Sequence, residues 1–123
     1  MKRVLVVEPD SLHRELIGEW LRAGGARPVW PGESLEQTVD IDAILIAVTC
    51  QQHAAGLLAP WRRAYPRAAV VLASGRFSPA DTADDAMARR LGATRILAKP
   101  FTRDDLWAAL GLCASPTTDL AHP

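Results

Sequence analysis

Four short runs, Arg3 to Val7, Ala43 to Val48, Ala69 to Ala73 and Arg95 to Ala98, are apolar with no polar alternation. A strand with one face in water alternates apolar and polar residues, whereas a strand covered on both faces does not. These runs therefore read as parallel strands buried between two layers of helix.

The segments between them have helical spacing. Leu12, Leu16, Trp20 and Leu21 share one face, as do Ala54, Leu57, Leu58 and Trp61, then Ala83, Met87 and Leu91, then Leu106, Leu110 and Cys113. Ser78 before Pro79, and Thr102 with Asp105, mark helix starts by their capping chemistry. Gly24-Gly25 ends the first helix, because glycine accepts the left-handed conformation that closes one, and Ala26 to Trp30 forms a second strand. Ser34 and Gln37 offer caps for a short or irregular second helix near Leu35. Five strands alternating with five helices predict a doubly wound α/β sheet with right-handed crossovers. Its functional residues belong at the carboxyl ends of the strands.

Size and charge narrow the function classes. The 123 residues, 49% of them hydrophobic, suffice for one core, and no repeat or linker divides them. We read residues 1–113 as one domain and 114–123, polar and without period, as a tail. Fourteen basic residues balance fourteen acidic ones, so no overall field gathers phosphates and nucleic acid is not an expected partner. The apolar run Val4 to Val7 is too short for a signal peptide or a membrane span, so a cytoplasmic location is expected. Cys50 and Cys113 lack metal-ligand companions and read as small packing residues in a reducing compartment. Cys50 as an oxidation sensor would need a lowered pKa, with His53 the nearby candidate to supply it. His13 and His122 have no companions at ligand spacing, and no metal role or cofactor is assigned.

The strand ends carry Glu8, Pro9 and Asp10, then Ala47 to Cys50, then Ser74-Gly75, then Lys99-Pro100-Phe101. Three features are distinctive in combination: Val-Leu-Val-Val-Glu at the start, the apolar third strand, and Gly92-Ala93 leading into Ile-Leu-Ala-Lys-Pro-Phe. From about Lys2 to Leu112 the sequence resembles the receiver domain of response regulators in two-component phosphorelay signalling. The resemblance implies a flavodoxin-like five-stranded sheet in the order 2-1-3-4-5. It also implies two acidic residues after strand one and an aspartate on strand three that together hold a divalent cation, the strand-three aspartate accepting a phosphoryl group.

This sequence departs from that pattern. Glu8 matches the first acidic position, but Pro9 stands at the second and offers neither carboxylate nor backbone donor. Asp10 comes one residue late, where it suits a helix cap. Ala47 stands at the acceptor position, and a methyl group cannot take a phosphoryl group. Ser74 matches the switch hydroxyl, Ile96 replaces the usual switch aromatic, and Lys99 and Pro100 are retained. Ser74 is either a working switch or a satisfied polar residue at a strand end. The loop Thr49-Cys50-Gln51-Gln52-His53 also departs from the family's proline- and glycine-containing stretch. Glu8 alone makes a poor magnesium site, so no tight Mg²⁺ binding is expected. Lys99, left without an anion, is expected to pair with Glu8.

The resulting reading is a degenerate receiver-like module, not an enzyme, that acts by binding protein: a histidine kinase, an output protein or a second copy. Arg89, Arg90, Arg95, Arg103 and Trp107, among Asp81, Asp84, Asp85, Asp104 and Asp105, are the candidate interface. Two alternatives stay open. One is a phosphorylation-dependent receiver with an unorthodox acceptor such as Glu8 or Asp10. The other is a small-molecule binder in the strand-end crevice, although no glycine-rich phosphate loop or nucleophile pairing is visible.

Overall fold

The structure is a computed structural model that describes residues 2–32, 40–48, 54–82 and 85–113. The strands are β1 (Lys2–Val7), β2 (Ala26–Val29), β3 (Ala43–Ala47), β4 (Ala69–Ser74) and β5 (Arg95–Ala98). The helices are α1 (Ser11–Ala23), α2 (Ala54–Ala64), α3 (Pro79–Thr82), α4 (Asp85–Leu91) and α5 (Arg103–Leu110). All strand pairs are parallel, in the order β2-β1-β3-β4-β5. This is the doubly wound, flavodoxin-like sheet expected from the sequence.

Successive side chains of a strand point to opposite faces, and the core divides accordingly. Val4, Val6, Leu45, Val71, Ala73 and Leu97 join Ile17 and Leu21 of α1 and Leu106 and Leu110 of α5. On the other face Leu5, Ile44, Ile46, Val70, Leu72 and Ile96 join Leu58 of α2 and Ala88 of α4. Both faces are dry, which accounts for runs without polar alternation.

The helices depart from the expected faces. In α1 the buried residues are Ile17, Gly18 and Leu21, while Leu12 is 77% and Leu16 39% exposed. At 3.6 residues per turn, Leu12 and Leu16 lie about 140° and 100° round the helix from Ile17, off the sheet-facing stripe. Leu57 is likewise exposed beside buried Leu58. Cys113 is exposed rather than packed, because α5 ends at Leu110 and Gly111 takes a left-handed φ of 70°. Helix α2 continues through Pro60, whose missing N–H deprives the carbonyl four residues back; Gly56 there is exposed, so water can serve it.

The caps follow local chemistry. Thr102 and Asp105 form the expected capping box, and Ser78 N donates to Asp81 Oδ2 at 2.7 Å where α3 begins. Gly24 closes α1 with φ −89°, an ordinary value, and Gly25 takes the left-handed φ of 81°. Gly24 is needed for space: a Cβ there would lie 2.8 Å from Trp107 Nε1. The helix expected near Leu35, the loop from Thr49 to His53 with Cys50, His122 and the tail 114–123 lie outside the described residues. No helix among the described residues is long and apolar enough to cross a membrane.

Candidate functional site

Parallel register brings the strand ends together. Val7 pairs with Ile46, Ala47 with Ala73, and Ser74 with Ala98, so Glu8, Ala47, Ser74 and Lys99 gather at one edge of the sheet. Lys99 N donates to Ser74 O at 3.0 Å, and the Lys99-Pro100 peptide is cis. Phe101 and Thr102 lead from there to α5, which begins at Arg103.

Glu8 is the centre of this edge. Its side chain is 2% exposed, and Lys99 Nζ donates to its Oε1 at 2.6 Å. The bond expected between these residues is present, and it ties the end of β1 to the end of β5 across the strands between. His13 Nδ1 lies 2.7 Å from the same oxygen, and the imidazole packs against Phe101 with ring centroids 5.1 Å apart. Arg14 donates from a guanidinium nitrogen to the Glu8 carbonyl at 3.3 Å. A buried carboxylate is costly unless paired and hydrogen-bonded; here an ammonium and an imidazole converge on one oxygen. No described buried side-chain nitrogen or oxygen lacks a partner.

Sequence reasoning missed His13. Its five-residue offset from Glu8 matches no ligand spacing. The contact exists because Asp10, whose Oδ1 accepts from Leu12 N at 3.0 Å and His13 N at 3.2 Å, starts α1 so that its first turn folds back beside β1. Asp10 therefore acts as a cap, as its position beside Ser11 indicated.

The remaining residues are placed as follows. Pro9 is exposed, and Ala47, half-buried at the end of β3, brings only a methyl group. Ser74 is fully buried and its hydroxyl accepts from Arg76 N at 3.1 Å, a satisfied position at a strand end. Ile96 is 1% exposed, locked in the core beside α4. The five-residue candidate interface does not form one face. Arg89 and Arg90 end α4 and Arg95 opens β5, at the amino edge of the sheet, while Arg103 starts α5 at the opposite edge. Trp107 is half-buried: its Nε1 donates to Trp20 O at 2.8 Å, and the Arg103 guanidinium lies 4.5 Å from its ring centroid. It clamps α5 to α1 rather than standing free.

A divalent cation does not fit these residues. Glu8 Oε1 is shared by two nitrogen donors, Pro9 and Ala47 offer no side-chain oxygen, and Asp10 is committed to the helix start. Among the described residues no three His, Cys, Asp or Glu side chains are grouped to hold a metal. Beside Glu8 opens a cleft of about 800 Å³, lined by Pro9, Arg14, Trp30 and Ala47 among others.

No family model matches the chain, and no curated protein matches it significantly. Solved structures do. A response regulator from Thermotoga maritima aligns with a TM-score of 0.70 at 19% identity, over 90% of this chain and 95% of that one. The chemotaxis protein CheY4 of Vibrio cholerae aligns at 0.66 and 19% identity, over 90% and 97%. An atypical orphan response regulator aligns at 0.65 and 20% identity, over 92% and 98%. The fold is that of response-regulator receivers. At these identities the likeness establishes the fold, and the chemistry has to come from the residues.

Proposed function

We propose that the chain is a receiver-like signalling module that works by binding protein partners without a phosphoryl switch. The observation that carries this reading is the Glu8 site. Lys99 and His13 meet on one Glu8 oxygen, while β3 ends in Ala47 and contributes no carboxylate. In this reading Lys99, which the receiver resemblance assigns to a phosphoryl group, is held permanently by Glu8. The strand ends then keep one arrangement, and Ser74 and Ile96, both buried, keep theirs. Such a domain presents a constant surface, and regulation falls to whether the partner is present. The partner class is protein: a histidine kinase, an output protein or a second copy, meeting the carboxyl edge where Arg103 and Asp104 are exposed. The atypical orphan regulator among the structural neighbours is described as having a phosphorylation-independent regulatory mechanism, which supports the reading by analogy. No reaction, cofactor or tight Mg²⁺ site belongs to it.

The test is amide NMR of the protein alone, with Mg²⁺, and with Mg²⁺ plus beryllofluoride, a mimic of an acyl phosphate. Unchanged spectra are expected. Saturable shifts around Glu8, Ala47, Ser74 and Lys99 would overturn the reading in favour of an unorthodox acceptor such as Glu8 or Asp10.

The cleft beside Glu8 favours a second reading. Ligand sites commonly span about 300–1,000 Å³ with apolar walls and few polar groups, and this cleft, with Trp30 on one side and Arg14 on another, has that character. A small molecule retained through purification under native mass spectrometry would move the assignment there.

A further inference from the structure

The zero net charge hides a separation that the fold creates. In a parallel sheet the covering helices run back against the strands, so helix ends and strand starts share one edge. At β4 and β5 that edge collects Arg62 and Arg63 from the last turn of α2 and Arg67 just before β4. It also collects Arg89 and Arg90 from the last turn of α4, and Arg95 at the start of β5. None of the six makes an ion pair with a described side chain. From residue 54 to 80 and from 86 to 102 the sequence contains no Asp or Glu. The acidic residues that follow in the sheet's order, Asp40 and Asp42, precede β3, and Asp42 Oδ2 already accepts from Arg3 N at 2.8 Å.

Favourable placement of cations at helix carboxyl ends accounts for part of this. It does not account for Arg67 and Arg95, which lie outside the helices, or for a recess lined by Arg62 and Arg89. That recess holds about 190 Å³, and its polar lining includes Arg62, Arg89, Tyr65 and Thr94. Arg62 spends one donor on the Gly92 carbonyl at 3.0 Å, which fixes its direction and leaves the rest of the guanidinium available. Thr94 Oγ1 accepts from Val70 N, so the floor is anchored to β4.

We propose that this edge binds the phosphate backbone of nucleic acid, with one phosphate seated between Arg62 and Arg89 and its neighbours met by Arg63, Arg67, Arg90 and Arg95. Arginine presents a planar fork matched to phosphate oxygens. The recess is sized for a compact anion rather than a base, and guanidiniums spread across two helix ends and two strand starts suit a repeating anion better than a single one. Contacts of this kind position a backbone without reading sequence. The balanced charge of the sequence argued against nucleic acid, but that argument concerns the sum of the charges, and binding responds to the local field. The surface lies at the opposite edge from Glu8, so it stands independently of the signalling reading.

The test is fluorescence anisotropy of a labelled mixed-sequence DNA duplex of about 20 base pairs, titrated with the full chain at about 25 to 200 mM salt. Saturable binding is expected at the low end. The logarithm of its constant should fall against that of the salt with a slope of about −2 to −4, since each neutralised phosphate contributes roughly −0.9. The R89E/R90E variant should bind about ten-fold more weakly or worse and lose part of that slope. It should still fold and melt within several degrees of the parent, because both side chains are exposed and make no described bond, the loss coming from the reversed charge at the carboxyl end of α4. A glutamate peptide of matched charge should compete about ten-fold less well than unlabelled duplex. Absence of saturable binding at the lowest salt, or equal binding by parent and R89E/R90E, would overturn the proposal. Equal competition by the peptide would also overturn it, replacing nucleic acid with acidic protein.

Discussion

Glu8 shows how one residue's surroundings decide its chemistry. In the sequence it is one acidic residue after an apolar run; in the fold it is a buried carboxylate holding Lys99 and His13. Breaking such a pair by removing one partner leaves an uncompensated charge, whereas removing both often costs little. Lys99→Met is expected to lower unfolding stability by about 1–3 kcal/mol, less than a fully buried pair because Lys99 is 25% exposed and His13 remains. Glu8→Gln with Lys99→Met should recover most of that loss, and urea denaturation of the parent, both single variants and the double variant measures the coupling. A double variant no more stable than Lys99→Met would show that Glu8 is not held mainly by the ammonium. Gly24 makes the same point through space. Gly24→Ala places a methyl 2.8 Å from Trp107 Nε1 and should cost about 1–3 kcal/mol by overpacking. The bond from Trp107 to the Trp20 carbonyl would be lost with it, so tryptophan fluorescence should shift alongside the melting temperature. The sequence marks Gly24 as a helix end; the need for space there comes from Trp107, 83 positions along the chain, and only packing reveals it.

Among the elements, the strands were legible and the helix faces only partly. Apolar runs define strands because both sheet faces are covered, and Arg95–Ala98 has the expected bounds. A helical period, in contrast, does not say which of two neighbouring apolar stripes meets the sheet. Leu12 and Leu16 fit the period as well as Ile17 and Leu21 do, and the sheet chose the latter. Caps were readable because they are made within a few residues: Asp10, Ser78 and Thr102 all bond locally. Thr102→Ala removes the hydroxyl that accepts from Asp105 N at 3.1 Å, and should lower stability by about 1 kcal/mol. Thermal denaturation reads this directly, and an unchanged midpoint would mean that α5 is held by the packing of Leu106 and Leu110 and the Trp107 clamp without help from its cap.

For the whole molecule, the sheet sets the order of stability. β1, β3 and β4 are paired on both sides, and β2 and β5 are the edges. Amide hydrogen exchange should be slowest in β1, β3 and β4 and faster in β2 and β5, since edge strands open without breaking the centre. Edge amides slower than those of Leu45 or Val71 would contradict this. The sequence by itself determined the class of fold, the positions of all five strands, and the residue types at the strand ends, including the methyl group of Ala47. These are properties of local pattern and need no partner in space. Tertiary structure decided what those ends do together: that Glu8 takes His13 as well as Lys99, that Trp107 is a clamp, and that six arginines of a chain with zero net charge collect at one edge of the sheet. The physical reason is that hydrogen bonds, packing and electrostatic fields depend on distance through space, which the chain order does not contain until the parallel strands have brought residues such as Glu8 and Lys99 to within 2.6 Å.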